Sequence, residues 1–79
     1  MPTSTTALTK AFGLVLRDFR KGAGLSQETL VYRANLSRNY ISELELGSKT
    51  PSLSAIELLA AALGTRPHVL IKAAEERAG

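Results

Sequence analysis

Two short segments near the middle of the chain begin with the same local signal. In each, a serine follows a leucine and precedes an apolar residue four positions later, as in a helix N-cap with a hydrophobic staple. The residues concerned are Leu25, Ser26 and Leu30, then Leu36, Ser37 and Ile41. They predict helices at 27–34 and 38–46, with a turn in which Asn35 takes the left-handed conformation. Two short helices joined by about three residues form a helix-turn-helix unit, here about 26–46.

The remaining sequence has the spacing of three further helices. A first stripe at three- and four-residue steps contains Leu8, Ala11, Phe12, Val15, Leu16 and Phe19. A second stripe, begun by a Ser52 cap and ended by Gly64, contains Leu53, Ile56, Leu59, Ala60 and Leu63. A last helix is expected after a Thr65 cap, with Pro67 in its first turn. The sequence therefore predicts an all-α, five-helix domain at 6–79, preceded by a flexible tail at 1–5.

Composition excludes several classes of protein. The 79 residues include no cysteine and one histidine, which rules out disulfides and the usual zinc sites, and we expect no metal and no cofactor. No apolar run approaches the ~20 residues of a membrane span, and the first ten residues lack the apolar core of a signal peptide. A cytoplasmic location is the expectation. There is no glycine-rich phosphate loop and no nucleophile–histidine set, so we expect no enzymatic activity and no small-molecule ligand.

The positive charge lies in one part of the chain. The whole formal net charge of +3 falls within residues 1–50, and residues 51–79 are neutral. A basic N-terminal part suits a polyanionic partner such as double-stranded DNA.

The outward-facing residues of the second helix in the helix-turn-helix unit are the ones that such a partner would contact. A recognition helix enters the major groove N-terminus first, so Arg38 and Asn39 are expected to meet base edges, with Ser42 on the flank. Glu43 either accepts a hydrogen bond from a cytosine amino group or holds Arg38 in place. Phosphate contacts are expected from Gln27 at the start of the preceding helix, from residues around the recognition helix and from the following loop. That set is Gln27, Ser37, Ser48, Lys49 and Thr50.

The segment from Phe19 to Leu63 resembles the helix-turn-helix domain of the lambda-repressor and Cro class. The matching motifs are Arg20, then Gly24-Leu25-Ser26-Gln27-Glu28, Leu36-Ser37-Arg38-Asn39-Tyr40-Ile41-Ser42, Leu44-Glu45-x-Gly47 and Pro51-Ser52-Leu53. The short length and the Ser-Arg-x-Tyr-Ile-Ser start are similar to controller proteins of restriction–modification systems. Small phage-type repressors are close competitors.

The resemblance implies a role for several residues. It implies that Gln27 contacts phosphate, that Arg38, Asn39 and Glu43 read bases, and that Tyr40 touches backbone or neighbouring bases. It further implies a structural ion pair between Arg20 and Glu45 and a two-fold dimer, often formed through the last helix. Two residues depart from the family pattern: Leu46 replaces a residue that is usually polar, and Glu43 places a negative charge toward DNA.

The fifth helix has apolar residues on more than one face. Val69, Leu70 and Ile71 are consecutive, so they cannot all face one core. Leu70 is expected inside, which leaves Val69 or Ile71, together with Leu46, for a dimer interface. Tyr32 is expected to be partly buried and His68 exposed, while Arg17 and Lys21 suit the C-terminal dipole of the first helix.

Two functions from different classes fit these observations. The first is a sequence-specific transcription regulator that binds a pseudo-palindromic operator in double-stranded DNA as a homodimer. The second is a protein-interaction module of the same fold, such as an antitoxin-like partner, with Leu46 and the fifth helix as the contact. Salt discriminates between them, because binding through several phosphates weakens steeply as salt rises.

Overall fold

The computed structural model describes residues 6–79, and the tail predicted at 1–5 lies outside them. The described residues form five α-helices and contain no strand, which confirms the predicted all-α class. The helices are α1 (Ala7–Gly22), α2 (Gln27–Ala34), α3 (Arg38–Glu45), α4 (Leu53–Ala62) and α5 (Pro67–Ala78). None of the helices within 6–79 is both long enough and apolar enough to cross a membrane.

Local capping sets where four of the five helices begin. The side chains of Thr6, Ser26, Ser37 and Ser52 each accept a hydrogen bond from the backbone N–H three residues later. This confirms the three predicted serine caps, and each cap satisfies a donor that the first helical turn leaves unpaired. Asn35 ends α2 with φ 56° and ψ 43°, in the left-handed conformation that the sequence predicts.

The predicted Thr65 cap of α5 is wrong, because Thr65 belongs to the end of α4. Its N–H donates to the carbonyl of Ala60 at 2.9 Å, while the N–H of Gly64 donates to Ala61 at 3.1 Å. This bond pair is a Schellman motif with glycine at positive φ. The N-cap of α5 is instead Arg66, which makes no side-chain capping bond, and Pro67 begins the helix.

One core joins all five helices. Six side chains are completely buried, and they come from every helix: Leu16, Leu30, Ile41, Leu44, Leu59 and Leu70. α1 packs most extensively against α5 and also against α3, so it connects the last helix to the helix-turn-helix unit. Three sequence predictions about packing are wrong. Tyr32 is 87% exposed, and Leu8 in the first turn of α1 is 41% exposed. Leu53 is 86% exposed, because the buried face of α4 begins only at Ala55 and Ile56.

α1 and α3 approach each other tightly at Gly13. A Cβ atom at Gly13 would lie 2.9 Å from the carbonyl oxygen of Glu45 and nearer still to that of Leu44. Both distances are shorter than real Cβ contacts, so only glycine permits this approach. The last turn of α3 therefore rests directly on the backbone of α1.

Candidate nucleic-acid interface

The N-terminal end of α3 is presented to solvent. Ser37, Arg38 and Asn39 are exposed, while Ile41 and Leu44 on the opposite side are fully buried. Ser42 and Glu43 are half-buried on the flank. The four predicted base-reading residues thus lie on the exposed and flanking parts of one short helix, with a rigid packed face behind them.

Arg38 forms an ion pair, but its partner is not Glu43, the residue that the sequence suggests. Its Nη1 lies 3.1 Å from Oε1 of Glu28, the second residue of α2, and both side chains are exposed. Glu43 does not hold Arg38, because five helical residues place the two about 140° apart around α3. Glu43 instead lies 3.5 Å from Nζ of Lys49.

The loop after α3 contains three of the predicted phosphate ligands, Ser48, Lys49 and Thr50, and it contacts Tyr40 of α3. The Ser48 hydroxyl donates to the carbonyl of Glu43 at 3.2 Å, and the backbone N–H of Ser52 donates to the Tyr40 hydroxyl at 3.2 Å. Nζ of Lys49 lies 5.9 Å from the centre of the Tyr40 ring. Tyr40 therefore fixes the loop against α3 and leaves its own O–H free to donate.

Thr50 lies at the base of this loop. Its hydroxyl is 3.4 Å from that of Thr9 in α1, and either oxygen can be the donor. Thr50 is exposed, and its hydroxyl is nevertheless within hydrogen-bond reach of a partner inside the protein.

A buried ion pair lies behind this surface. Nε and Nη2 of Arg20 donate to the two carboxylate oxygens of Glu45 at 2.7 and 3.0 Å, and Nη1 donates to the Leu25 carbonyl at 2.9 Å. The pKa of Arg20 is raised above its usual value, chiefly by the hydrogen bond with Glu45, against the opposing effect of burial. The pair connects α1 to α3, as the resemblance implies.

Gln27 belongs to the same network, which the sequence did not predict. Its Nε2 donates to Oε1 of Glu45 at 3.0 Å, so one of its two amide protons is engaged within the protein. Gln27 and Glu45 are 18 residues apart in the chain, and no helical periodicity relates them. The predicted phosphate ligand is thus held in position by the buried pair and keeps its second N–H.

The predicted dimer residues differ in exposure. Leu70 is fully buried as expected, whereas Val69 and Ile71 are half-buried, with Ile71 packed against the core. Leu46 is 78% exposed at the end of α3. No group of three or more potential metal-ligating side chains occurs within the part of the chain that the structure describes.

The chain matches a family model described as a helix-turn-helix domain over residues 11–74. It is similar to the control protein C.BamHI of Bacillus amyloliquefaciens, with 39% identity over 61 residues, 76% of this chain and 75% of that protein. It is also similar to an immunity repressor protein of Bacillus phage phi105, with 37% identity over 59 residues. That match covers 75% of this chain but only 41% of the repressor.

Solved structures share both the fold and part of the sequence. The restriction-modification controller protein C.AhdI from Aeromonas hydrophila superposes with a TM-score of 0.79 and 42% identity, over 82% of this chain and 98% of that chain. The clp gene regulator ClgR from Corynebacterium glutamicum gives a TM-score of 0.86 at 28% identity, over 99% of this chain and 100% of that chain.

Proposed function

Since the chain belongs to the helix-turn-helix family of DNA-binding transcription regulators, we propose that it acts as a homodimer on a pseudo-palindromic operator. Each protomer would place α3 in the major groove of one half-site, and the two half-sites would lie roughly 34 Å apart. The observation that supports this best is the exposed pair Arg38 and Asn39 at the free N-terminal end of α3.

We propose that bases are read by Arg38, Asn39, Ser42 and Glu43. Arginine suits guanine through two parallel hydrogen bonds, and asparagine suits adenine in the same way. Because Arg38 is paired with exposed Glu28, reading a base requires exchange of that ion pair. Such an exposed pair is weak, so the exchange costs little.

Phosphate contacts are assigned to the residues around this helix. They are Gln27, Ser37, Tyr40, Ser48, Lys49 and Thr50. The Gln27 amide at the N-terminus of α2 and the exposed Lys49 support the assignment most strongly, because each has more N–H donors than its contacts within residues 6–79 use. Residues 6–79 would act as one DNA-binding domain, in the cytoplasm and without catalysis, cofactor or small-molecule ligand.

The proposed dimer uses Val69 and Ile71 of α5 together with Leu46. Within the family, we propose two roles for this chain, a restriction–modification controller or a small phage-type repressor. The identity of the neighbouring genes would distinguish these two roles. Control would depend on protein concentration through dimerisation.

One observation favours a second candidate function. Leu46 and Tyr32 are large, apolar or aromatic, and almost fully exposed on the helix-turn-helix unit, as a protein-interaction module would require. Selection of binding sites from random duplex DNA tests the two functions. Recovery of an inverted repeat with half-sites about one helical turn apart supports the operator-binding dimer. Recovery of no motif at low salt, from folded protein, supports the interaction module.

A further inference from the structure

One ion pair joins a proposed base reader to a proposed phosphate contact. Oε1 of Glu43, on the flank of α3, lies 3.5 Å from Nζ of Lys49, in the loop after the helix. Neither residue forms an ion pair with any other side chain of residues 6–79. The side chains of Lys49 and Glu43 are 51% and 36% exposed, so each can exchange its partner. In the free protein, the negative charge that Glu43 places toward the DNA is therefore balanced by a single cation.

The loop is attached to α3 on both sides of Lys49. The N–H and the hydroxyl of Ser48 both donate to the Glu43 carbonyl, at 3.0 and 3.2 Å. Beyond Lys49, the N–H of Ser52 donates to the Tyr40 hydroxyl at 3.2 Å. The Tyr40 ring centre also lies 5.9 Å from Nζ of Lys49, within the ~6 Å range of a cation–π contact. The backbone around Lys49 is thus held against α3, while its long side chain can turn between Glu43 and a partner outside the protein.

Bound DNA offers Lys49 a second partner, but the exchange leaves Glu43 without its cation. The carboxylate then lies beside the negative charges of the DNA backbone. Because an ionised carboxylate only accepts hydrogen bonds, it needs a donor, and in the major groove the donors are the amino groups of cytosine and adenine. Guanine and thymine present acceptor atoms there, which repel the carboxylate. The base that faces Glu43 therefore decides whether the exchange is favourable.

We propose that Glu43 makes the phosphate contact of Lys49 depend on the base sequence. Where cytosine or adenine faces Glu43, the amino group donates to the carboxylate and Lys49 binds a phosphate. Where guanine or thymine faces Glu43, Lys49 stays paired with the carboxylate and binds no phosphate. A loop residue that touches no base thereby contributes to sequence preference. This inference rests on the proposed DNA-binding function and adds a coupling between two of its contacts.

The test measures the coupling between Lys49 and one phosphate on two duplexes. Binding-site selection with wild type and with Glu43→Gln first identifies the base pair whose preference depends on Glu43. One duplex has the selected base there, expected to be cytosine or adenine, and the other has guanine or thymine. Each phosphate of the half-sites is then replaced in turn by an uncharged methylphosphonate. The phosphate that Lys49 binds is the one whose replacement weakens binding by wild type but not by Lys49→Gln.

The coupling should differ between the two duplexes. On the duplex with the selected base, replacing that phosphate should weaken wild type on the order of tenfold more per half-site than Lys49→Gln. On the other duplex, the replacement should weaken both proteins equally. When Glu43→Gln is also present, no carboxylate competes for Lys49, so the Lys49-dependent loss should appear on both duplexes.

Two variants serve as matched controls. Lys72→Gln and Glu57→Gln remove one exposed cation from α5 and one exposed carboxylate from α4. Lys72→Gln should show the same loss as wild type on the selected duplex, and Glu57→Gln should not produce a Lys49-dependent loss on the other duplex. Circular dichroism establishes beforehand that every variant is folded.

The outcomes separate this inference from the function on which it rests. If the wild-type protein binds no DNA at low salt, the proposed function fails. If it binds DNA but no phosphate depends on Lys49, or if the Lys49-dependent loss is equal on both duplexes, only the coupling is wrong. The coupling is also wrong if Glu43→Gln selects the same sites as wild type, or if the selected base is guanine or thymine.

Discussion

The carboxylate of Glu45 accepts hydrogen bonds from Arg20 at 2.7 and 3.0 Å, and this bidentate pair joins α1 to α3 in the protein interior. The same carboxylate holds Gln27 at 3.0 Å. A group that stabilises the fold therefore also fixes a residue of the proposed DNA interface. Stability and binding can be separated at this site by variants that remove one partner or both.

Replacing Arg20 alone should be strongly destabilising. Arg20→Met leaves the Glu45 charge buried without its cation, and we expect the free energy of unfolding to fall by about 3–5 kcal/mol. The double variant Arg20→Met/Glu45→Met removes both charges and should lose less than Arg20→Met. Urea denaturation followed by circular dichroism measures both. A double variant less stable than the single one would show that the pair itself, and not the stranded charge, dominates.

The contribution of Arg20 should persist at alkaline pH. Its pKa is higher in the folded protein than in the unfolded chain, so its stabilising effect is complete below the unfolded pKa. The effect is lost only as pH rises through the folded pKa, in the strongly alkaline range. The stability difference between wild type and Arg20→Met should therefore stay constant from neutral to mildly alkaline pH in denaturation experiments. A difference that shrinks within that range would contradict the direction of the shift.

A side chain at Gly13 should separate α1 from α3. Gly13→Ala places a methyl group against the carbonyls of Leu44 and Glu45, and we expect a loss of about 1–3 kcal/mol or more. Gly22→Ala is the matched control, because a Cβ there meets nothing within 4 Å. That control should be neutral or slightly stabilising. Equal thermal midpoints for the two variants would show that the approach at Gly13 is not tight in solution.

Removing the Arg38 side chain should weaken DNA binding without harming the fold. Arg38→Ala is expected to cost about 1–3 kcal/mol of binding free energy and to relax the preference at one base position. Binding-site selection with the variant, compared with wild type, measures both effects. Wild-type affinity and specificity in this variant would mean that the N-terminal end of α3 does not read bases.

Neutralising Glu28 should strengthen DNA binding, whereas Arg38→Ala should weaken it. Glu28→Gln releases Arg38 from its ion pair and removes a negative charge near the DNA, so affinity for any duplex should rise. The control is Glu57→Gln, which removes an exposed carboxylate from α4. Titrations on operator and unrelated DNA should show a larger rise for Glu28→Gln than for Glu57→Gln. Because exposed pairs contribute little, thermal stability should hardly change.

The sequence predicts those features of the fold that depend on neighbours along the chain. The serine caps, the left-handed Asn35, the bounds of α2 and the start of α3 follow from signals within a few residues, whereas α3 ends at Glu45, one residue before its predicted end. The error at Thr65 has a local cause too, since the end of α4 and the start of α5 compete for the same residue. The exposure of Tyr32 could not be predicted, because an apolar side chain on a two-turn helix has no long stripe to indicate its face.

In the candidate site, too, some features are predicted by the sequence and others are not. The exposed positions of Arg38 and Asn39 follow from helical geometry alone. The Arg20–Glu45 ion pair is predicted only by the resemblance to the family. The bond from Gln27 to Glu45 and the contact at Gly13 join residues from different helices. No spacing in one chain encodes such tertiary relations, so they emerge only from the folded arrangement.

The inward face of α3 contributes to the core, and its outward face does not. Ile41 and Leu44 pack inward, and Arg38 and Asn39 make no contribution to the core. Exchange of the outer pair leaves the interior packing untouched, so variants with altered target preference should arise by single changes without compensating substitutions. The scaffold is thereby suited to rapid divergence, and a library randomised only at these outer positions should consist largely of folded proteins.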